Sequence, residues 1–377
     1  LFVAGVATII QTVGFGRIGS KLPIIQGTSF GFIPVMLPFK AAGLGAVFTA
    51  AFIAGIFQMF LGYILKPIRH MFPPLVTGIV VLMIGVSLLG VGFQYAGGGA
   101  WLLNNKPDIY ANGSHLFLAF TVLIVTVLVH QYTKGFLGSA SILIGMAVGY
   151  VIAIPMGMIQ FSKIASASWF ALPMPLQYGI DFVPGAIILM LFMAVVTTIE
   201  TIGDISATTM GGANREATDE ELSGGILADG LGTAFGSLFN AMPNTSYSQN
   251  AGLVAFTGVI SRHVGTIAGI ILVLFGLFPK LGGVIAAMPE SILGGAAIVM
   301  FGLITAAGIK LISQSDLNKR NLLILGLSLS FGIGLYLKPE FVSHFPDLGI
   351  KLPLLLTTGL IPAGLLAFIL NAILPKE

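Results

Sequence analysis

Three carboxylates stand where an apolar chain tolerates charge least. Glu200 and Asp204 lie in and at the end of the run Pro184-Gly-Ala-Ile-Ile-Leu-Met-Leu-Phe-Met-Ala-Val-Val-Thr-Thr-Ile-Glu-Thr-Ile-Gly-Asp204, and Asp229 lies in Gly225-Ile-Leu-Ala-Asp-Gly-Leu-Gly-Thr-Ala-Phe-Gly236. An ionisable side chain inside such a run costs a few kcal/mol to insert and marks a functional site by default. Thr197, Glu200 and Asp204 fall at i−3, i and i+4, so one helix face carries all three. Carboxylates held away from water exchange protons near neutral pH, which is the chemistry a proton-coupled carrier needs. Asp204 equally fits a mark of the cytoplasmic helix end. Asp229, set among small residues that let helices approach closely, equally fits a hydrogen-bonding packing residue.

A second kind of site is written in two polar blocks, each followed by an apolar run too short to cross a membrane. In Pro243-Asn-Thr-Ser-Tyr-Ser-Gln-Asn-Ala-Gly-Leu-Val-Ala-Phe-Thr-Gly258 the apolar part from Gly252 to Ile260 supplies about half of the roughly 20 residues a spanning helix needs. Gln26-Gly-Thr-Ser-Phe30 leads a similar short run ending at Phe39. Non-helical backbone survives at membrane depth only where it is buried in protein or lines a cavity. Half-helix N-termini there present free N–H groups and a positive dipole end. Two such interrupted segments, one in each half, are the mark of an inverted-repeat transporter with a site at mid-membrane.

The elements that must position these residues follow from composition. Charged residues make up 8% of the chain and hydrophobic residues 56%, against about 25% charge in soluble domains, so the chain is a polytopic membrane protein. Apolar stretches predict thirteen segments, near 1–13, 28–39, 44–65, 73–93, 114–131, 138–156, 181–204, 224–240, 250–260, 263–279, 291–309, 321–337 and 352–373. With the Lys66-Pro-Ile-Arg69-His70 loop placed in the cytoplasm, eleven of the 17 Lys and Arg fall inside, among them Arg17, Lys21, Arg215 and Arg262, and six fall outside. That bias has the sign of the positive-inside rule and puts the C-terminus inside. The longest loops, Gln94–Gly113 and Met158–Tyr178, are both assigned outside, and no soluble domain is visible. Leu1 already lies within an apolar run, so the chain reads as beginning in mid-helix without a signal peptide.

Other classes find no support. His70, His115, His130, His263 and His344 lack metal spacing, no metal site is predicted, and no Ser/His/Asp elbow is present. Gly97-Gly-Gly99 lacks the Lys-Ser/Thr of a phosphate loop. The net charge of +3 is spread over loops without a basic run, so no nucleic-acid partner is expected. The absence of cysteine rules out a disulfide framework.

The segment Gln249-Asn250-Ala-Gly252-Leu-Val-Ala-Phe-Thr257-Gly258 resembles the signature of the nucleobase–ascorbate transporter (nucleobase:cation symporter-2) family. Pro243-Asn-Thr-Ser-Tyr, Gln26-Gly-Thr-Ser-Phe30, the Glu200/Asp204 spacing, Ala228-Asp229-Gly230 and Trp169-Phe-Ala-Leu-Pro173 are similar to that family too, in the expected order. The resemblance implies an all-α polytopic fold of two inverted seven-segment repeats, whose third and tenth segments begin as short antiparallel strands. It implies a core domain, near residues 1–65 plus 181–279, a gate domain, near 73–156 plus 291–373, and a homodimer formed through the gate. Only thirteen segments are visible here, so the family's first helix, which carries a Gln-His pair near the site, is expected to be missing.

By the same resemblance Glu200 matches the substrate-binding acid, Gln249 the second substrate-binding position with Asn250 beside it, and Phe30 and Ser248 the residues whose backbone faces the base. Asp204 and Asp229 match polar positions tied to coupling and site organisation. Gln rather than Glu at position 249, with Thr257-Gly258, points to xanthine or uric acid over uracil. The implied activity is proton symport of that base across the bacterial cell membrane, with no cofactor and no enzyme chemistry. A carrier of uracil or another base, and an anion exchanger of the same architecture, are the alternatives; the latter would be expected to show a basic residue or a bare dipole pair where this chain has Glu200.

Overall fold

Thirty residues of unbroken helix carry Glu200 and Asp204. This helix begins with Pro184 at its first turn, where the missing N–H costs nothing, and ends at Asn214 in the left-handed conformation. It runs nine residues past the expected end at 204, because Ile205–Ala213 holds no proline and its two glycines, Gly211 and Gly212, come only in the last turn.

In the computed structural model the described residues are 1–64, 73–346 and 352–375. The Lys66–His70 loop used to set orientation, Lys351 and Lys376 lie outside them. The longer helices are α1 (Phe2–Val13), α2 (Leu44–Tyr63), α3 (Pro74–Ala96), α4 (Gly113–Tyr132), α5 (Ser141–Ala153), α6 (Pro184–Ala213), α7 (Asp219–Leu238), α8 (Ser248–Thr257), α9 (Arg262–Gly276), α10 (Pro279–Ala286), α11 (Glu290–Ile312), α12 (Lys319–Leu337) and α13 (Leu360–Ile373). Two short strands, β1 (Gln26–Thr28) and β2 (Asn244–Ser246), complete the frame.

Each of the thirteen predicted segments contains helix. Among the described residues only α2, α3, α4, α6, α11 and α12 are long and apolar enough to cross a membrane, or up to seven spans if α9 and α10 make one broken span. The last predicted segment is split by Gly359 into Leu352–Leu356 and α13. The two long loops hold short helices of their own, Ala100–Asn105 and Phe161–Ser166.

The chain forms two compact units. The first comprises Leu1–Ile84, Leu172–Leu277 and Ala307–Glu377, and all the candidate site residues belong to it. Its helices approach closely where glycine removes the side chain. A Cβ on Gly55 of α2 would sit 2.6 Å from the Gly230 carbonyl and the Ala234 nitrogen of α7, the small-residue contact that membrane helices use in place of a hydrophobic drive. The second unit, Gly85–Ala171 and Phe278–Ala306, has its own core of Leu118, Val122, Ala153, Ile159, Ala287, Ile292 and Ala296.

Candidate functional site

The two polar blocks meet as a two-stranded ribbon. β1 and β2 pair antiparallel with Gln26 opposite Ser246, Gly27 opposite Thr245 and Thr28 opposite Asn244. The ladder continues at both ends, where Ser29 N donates to Pro243 O and Tyr247 N donates to Ile25 O, each at 3.0 Å. Backbone donors that would be orphaned in an apolar surround are satisfied between two segments more than 200 positions apart. Beyond β2 the chain turns helical at Ser248, and α8 stops after ten residues at Gly258, whose φ of 68° is the left-handed C-terminal turn glycine favours. Beyond β1 it passes through a tight turn at Phe30–Phe32 into a short apolar helix ending at Phe39. Both expected half-helices are therefore present, each entered from one strand.

The ribbon brings the carboxylates together. Thr245 donates to Glu200 Oε2 at 3.4 Å and Ser246 donates to Asp204 Oδ2 at 2.6 Å. Asp229, fully buried on α7, accepts from three side chains: Thr201 at 2.5 Å and Gln58 Nε2 at 3.2 Å on Oδ2, and Asn244 Nδ2 at 3.3 Å on Oδ1. Asn244 Nδ2 also donates to Gln26 Oε1 at 2.9 Å, and the Asn244 backbone exchanges two bonds with Thr233 of α7. Gln26 is fixed in turn by Thr8 of α1, whose hydroxyl accepts from Gln26 N at 3.0 Å. One buried network thus ties α1, α2, α6 and α7 to both strands. Neutral amides and hydroxyls supply every one of these bonds, and all of them can either give or take a proton in a hydrogen bond except the backbone groups.

Each predicted site residue has a definite place. Glu200 is half-buried beside the ribbon, while Asp204 is 6% exposed and lies under it. Thr197, expected on the same face, is buried and bonds its own helix at Met193 O. Ser248 and Gln249 are exposed in the first turn of α8, which no side chain caps. Phe30 is 41% exposed at the end of β1. Asn250 donates through Nδ2 to Pro23 O at 2.5 Å, pinning α8 to the approach of β1.

Sequence reasoning passed over Gln58, Thr201, Asn244 and Thr233. Gln58 carried a usable signal, since it is the lone amide in the apolar span of α2. The others are common polar residues whose importance comes only from the partners the fold gives them.

The sequence model of the permease family, that of the nucleobase:cation symporter-2 proteins, matches residues 1–341. The chain belongs to that family. This permease is 35% identical over 391 residues to the xanthine permease XanP of Escherichia coli strain K12, covering all of this chain and 83% of that one. It is 36% identical over 379 residues to the uric acid transporter UacT of the same strain, covering 98% of this chain and 77% of that one. Among solved structures, it is similar to the transmembrane domain of the cyanobacterial bicarbonate transporter BicA, with a TM-score of 0.56 at 15% identity, over 98% of this chain and 96% of that one. The permease therefore has the 7+7 inverted-repeat transporter fold, is a multi-pass protein of the cell membrane, and is a transporter rather than an enzyme.

Proposed function

We propose that the permease imports an oxidised purine base, xanthine or uric acid, together with a proton, and that the base binds between Glu200 and the start of α8. The observation that carries the reading is the Glu200 carboxylate. It is half-buried against the ribbon, and among the described residues it accepts one long bond, 3.4 Å from Thr245. Most of its accepting capacity is open to a ligand.

A planar oxopurine offers ring N–H donors next to carbonyl acceptors. Glu200 accepts two adjacent N–H groups, the exposed Gln249 amide both gives and takes, and backbone N–H groups at Ser248 and Phe30 orient the remainder. Each mismatch leaves a buried polar group unpaired, at about 1–3 kcal/mol, so one base is chosen without a large charge. Relatives that share a third of their residues over nearly the whole chain are a xanthine permease and a uric acid transporter, which supports the purine class. Asp204, Asp229 or Glu200 takes the proton, and the base crosses as a core of residues 1–65 and 181–279 moves against a gate of 73–156 and 291–373 in a homodimer held through the gate.

Uptake of radiolabelled xanthine and uric acid into cells tests this. Accumulation should collapse with a protonophore, and Glu200→Gln should abolish it at normal membrane abundance. Accumulation that follows sodium and ignores the protonophore refutes proton coupling, and full uptake by Glu200→Gln removes that residue from the site.

A further inference from the structure

Among the buried polar side chains that lack a hydrogen-bond partner within the described residues are Gln11, Ser20 and Thr208. Gln11 on α1 is fully buried, and neither its Oε1 nor its Nε2 is hydrogen-bonded among the described residues. The hydroxyls of Ser20, 2% exposed, and Thr208, 1% exposed, are in the same condition. An unpaired buried group of this kind costs about 1–3 kcal/mol, and more than about 90% of buried polar groups are paired with protein or ordered water.

The backbone carries all three into the region where α1, the Gly19–Lys21 segment, α6 and α7 come together. Lys21 N donates to Gln11 O at 3.0 Å, and Gly19 N donates to Gly224 O at 2.8 Å, so the Gly19–Lys21 segment runs between α1 and α7. A Cβ on Gly225 would stand 3.2 Å from Gln11 Nε2 and collide with the Ile205 side chain. Ile205 lies one turn before Thr208 and next to Asp204 on α6. Thr197, Thr201, Asp204 and Thr208 form one buried stripe along that helix. Arg17 and Lys21 are exposed, and the Lys and Arg distribution assigns their side to the cytoplasm.

We propose that Gln11, Ser20 and Thr208 hold internal water that joins Asp204 to the cytoplasmic end of the first unit, as a proton route separate from the path of the base. The class of ligand follows from what is orphaned. A cation would satisfy Gln11 Oε1 and the hydroxyl oxygens but leave the Gln11 N–H groups unmet, and an anion would take the N–H and O–H groups but leave Gln11 Oε1 unmet. Water both donates and accepts, so it meets every one of these orphaned groups, and bonding otherwise unsatisfied buried polar groups is the usual role of internal water. The ionisable groups on the surrounding elements are Glu200 and Asp204 on α6, Asp229 and the acidic first turn of α7 with Arg215 beside it, and Arg262 and His263 on α9. Arg17, Lys21, Arg262 and His263 are exposed. Asp204, one helical turn from Thr208, is the carboxylate the water reaches.

The inference rests on the proton-coupled reading above, and the test separates the two. Membrane vesicles carrying the parent, Gln11→Leu, Thr208→Val and Thr208→Ser are compared for proton-driven accumulation and for equilibrium exchange of labelled xanthine, which moves no net proton. Accumulation by Gln11→Leu and Thr208→Val should fall about tenfold or more, as for loss of a proton-transfer group, with exchange within about twofold of the parent, and Thr208→Ser should restore accumulation. Unchanged accumulation in both variants, or equal loss of exchange and accumulation, overturns the water route. A parent that ignores a protonophore overturns the proton-coupled function instead. A structure that resolves ordered water should show density bonded to Gln11 and Thr208; a dry site there also overturns the proposal.

Discussion

Replacing Asp229 separates what its shape does from what its charge does. In Asp229→Ala three donors lose their acceptor. Asn244 Nδ2 keeps Gln26 Oε1 at 2.9 Å, and the Thr201 hydroxyl can turn back to a carbonyl of its own helix, as Thr197 and Thr198 already do. Gln58 Nε2 has no such refuge. One orphaned amide donor plus the volume left by the carboxylate amounts to about 2–4 kcal/mol. Asp229→Asn behaves differently. Its oxygen keeps the Asn244 bond and its new NH2 faces Thr201, which can accept, and Gln58, whose Oε1 has no partner among the described residues. Rotating the Gln58 amide by half a turn presents that oxygen and restores the pairing, so the loss should stay below about 1 kcal/mol.

With about 2.1 cal/mol/K of unfolding entropy per residue, each kcal/mol moves the melting temperature of a chain this long by about 1.3 °C. Thermal unfolding of the purified permease should therefore show Asp229→Ala about 2.5–5 °C below the parent, and Asp229→Asn within about 1.5 °C of it. Equal loss in both would refute the reasoning, because it would mean that the negative charge and not the pairing holds α2, α7 and the ribbon together. No loss in Asp229→Ala would refute it from the other side.

Further outcomes follow from single contacts. Gly55→Ala should destabilise by about 1–3 kcal/mol, because its Cβ would press on the α7 backbone at 2.6 Å, whereas Gly302→Ala on α11, with open space about it, should not lower the melting temperature. Gln249→Glu should weaken competition by xanthine and strengthen that by uracil in an uptake assay; unaltered competition by both would make Gln249 structural. At the start of α7, Thr218 and Glu221 form a reciprocal cap and Arg215 binds Glu221 at 2.5 and 2.8 Å. The Arg215 hydrogen bond, foremost, holds the Glu221 carboxyl below its ordinary range. A depressed folded pKa means that this contribution is full above the unfolded value of about 4.3 and is lost as pH falls below it. The melting curves of the parent and Glu221→Gln should thus differ at neutral pH, with the gap narrowing as pH falls below about 4.3, and a gap that does not narrow there would contradict the pairing.

Much of the site was legible before any fold was known. Glu200 and Asp229 stand out because charge inside an apolar run is expensive enough to need a reason. The short runs after Gln26 and Ser248 stand out because they are too short to span. Gln58 was legible on the same ground as the acids and was passed over because a neutral amide is a fainter anomaly than a charge. Asn244, Thr201 and Thr233 were not legible, since nothing about an isolated asparagine or threonine says which partner it will meet. The orphaned pair of atoms on Gln11 is likewise a property of its surroundings and not of its type.

The sequence by itself determined that this chain lives in a membrane, where its helices fall, and that two polar blocks and three acids need partners inside it. Those conclusions rest on hydropathy and local length, which are additive along the chain. Only the tertiary structure decided which partners they have: β1 against β2 across 218 positions, Ser246 on Asp204, and Thr201, Gln58 and Asn244 on Asp229. Hydrogen bonds reach about 3 Å and depend on direction, so they are set by where the backbone brings two segments together, and hydropathy carries no record of that.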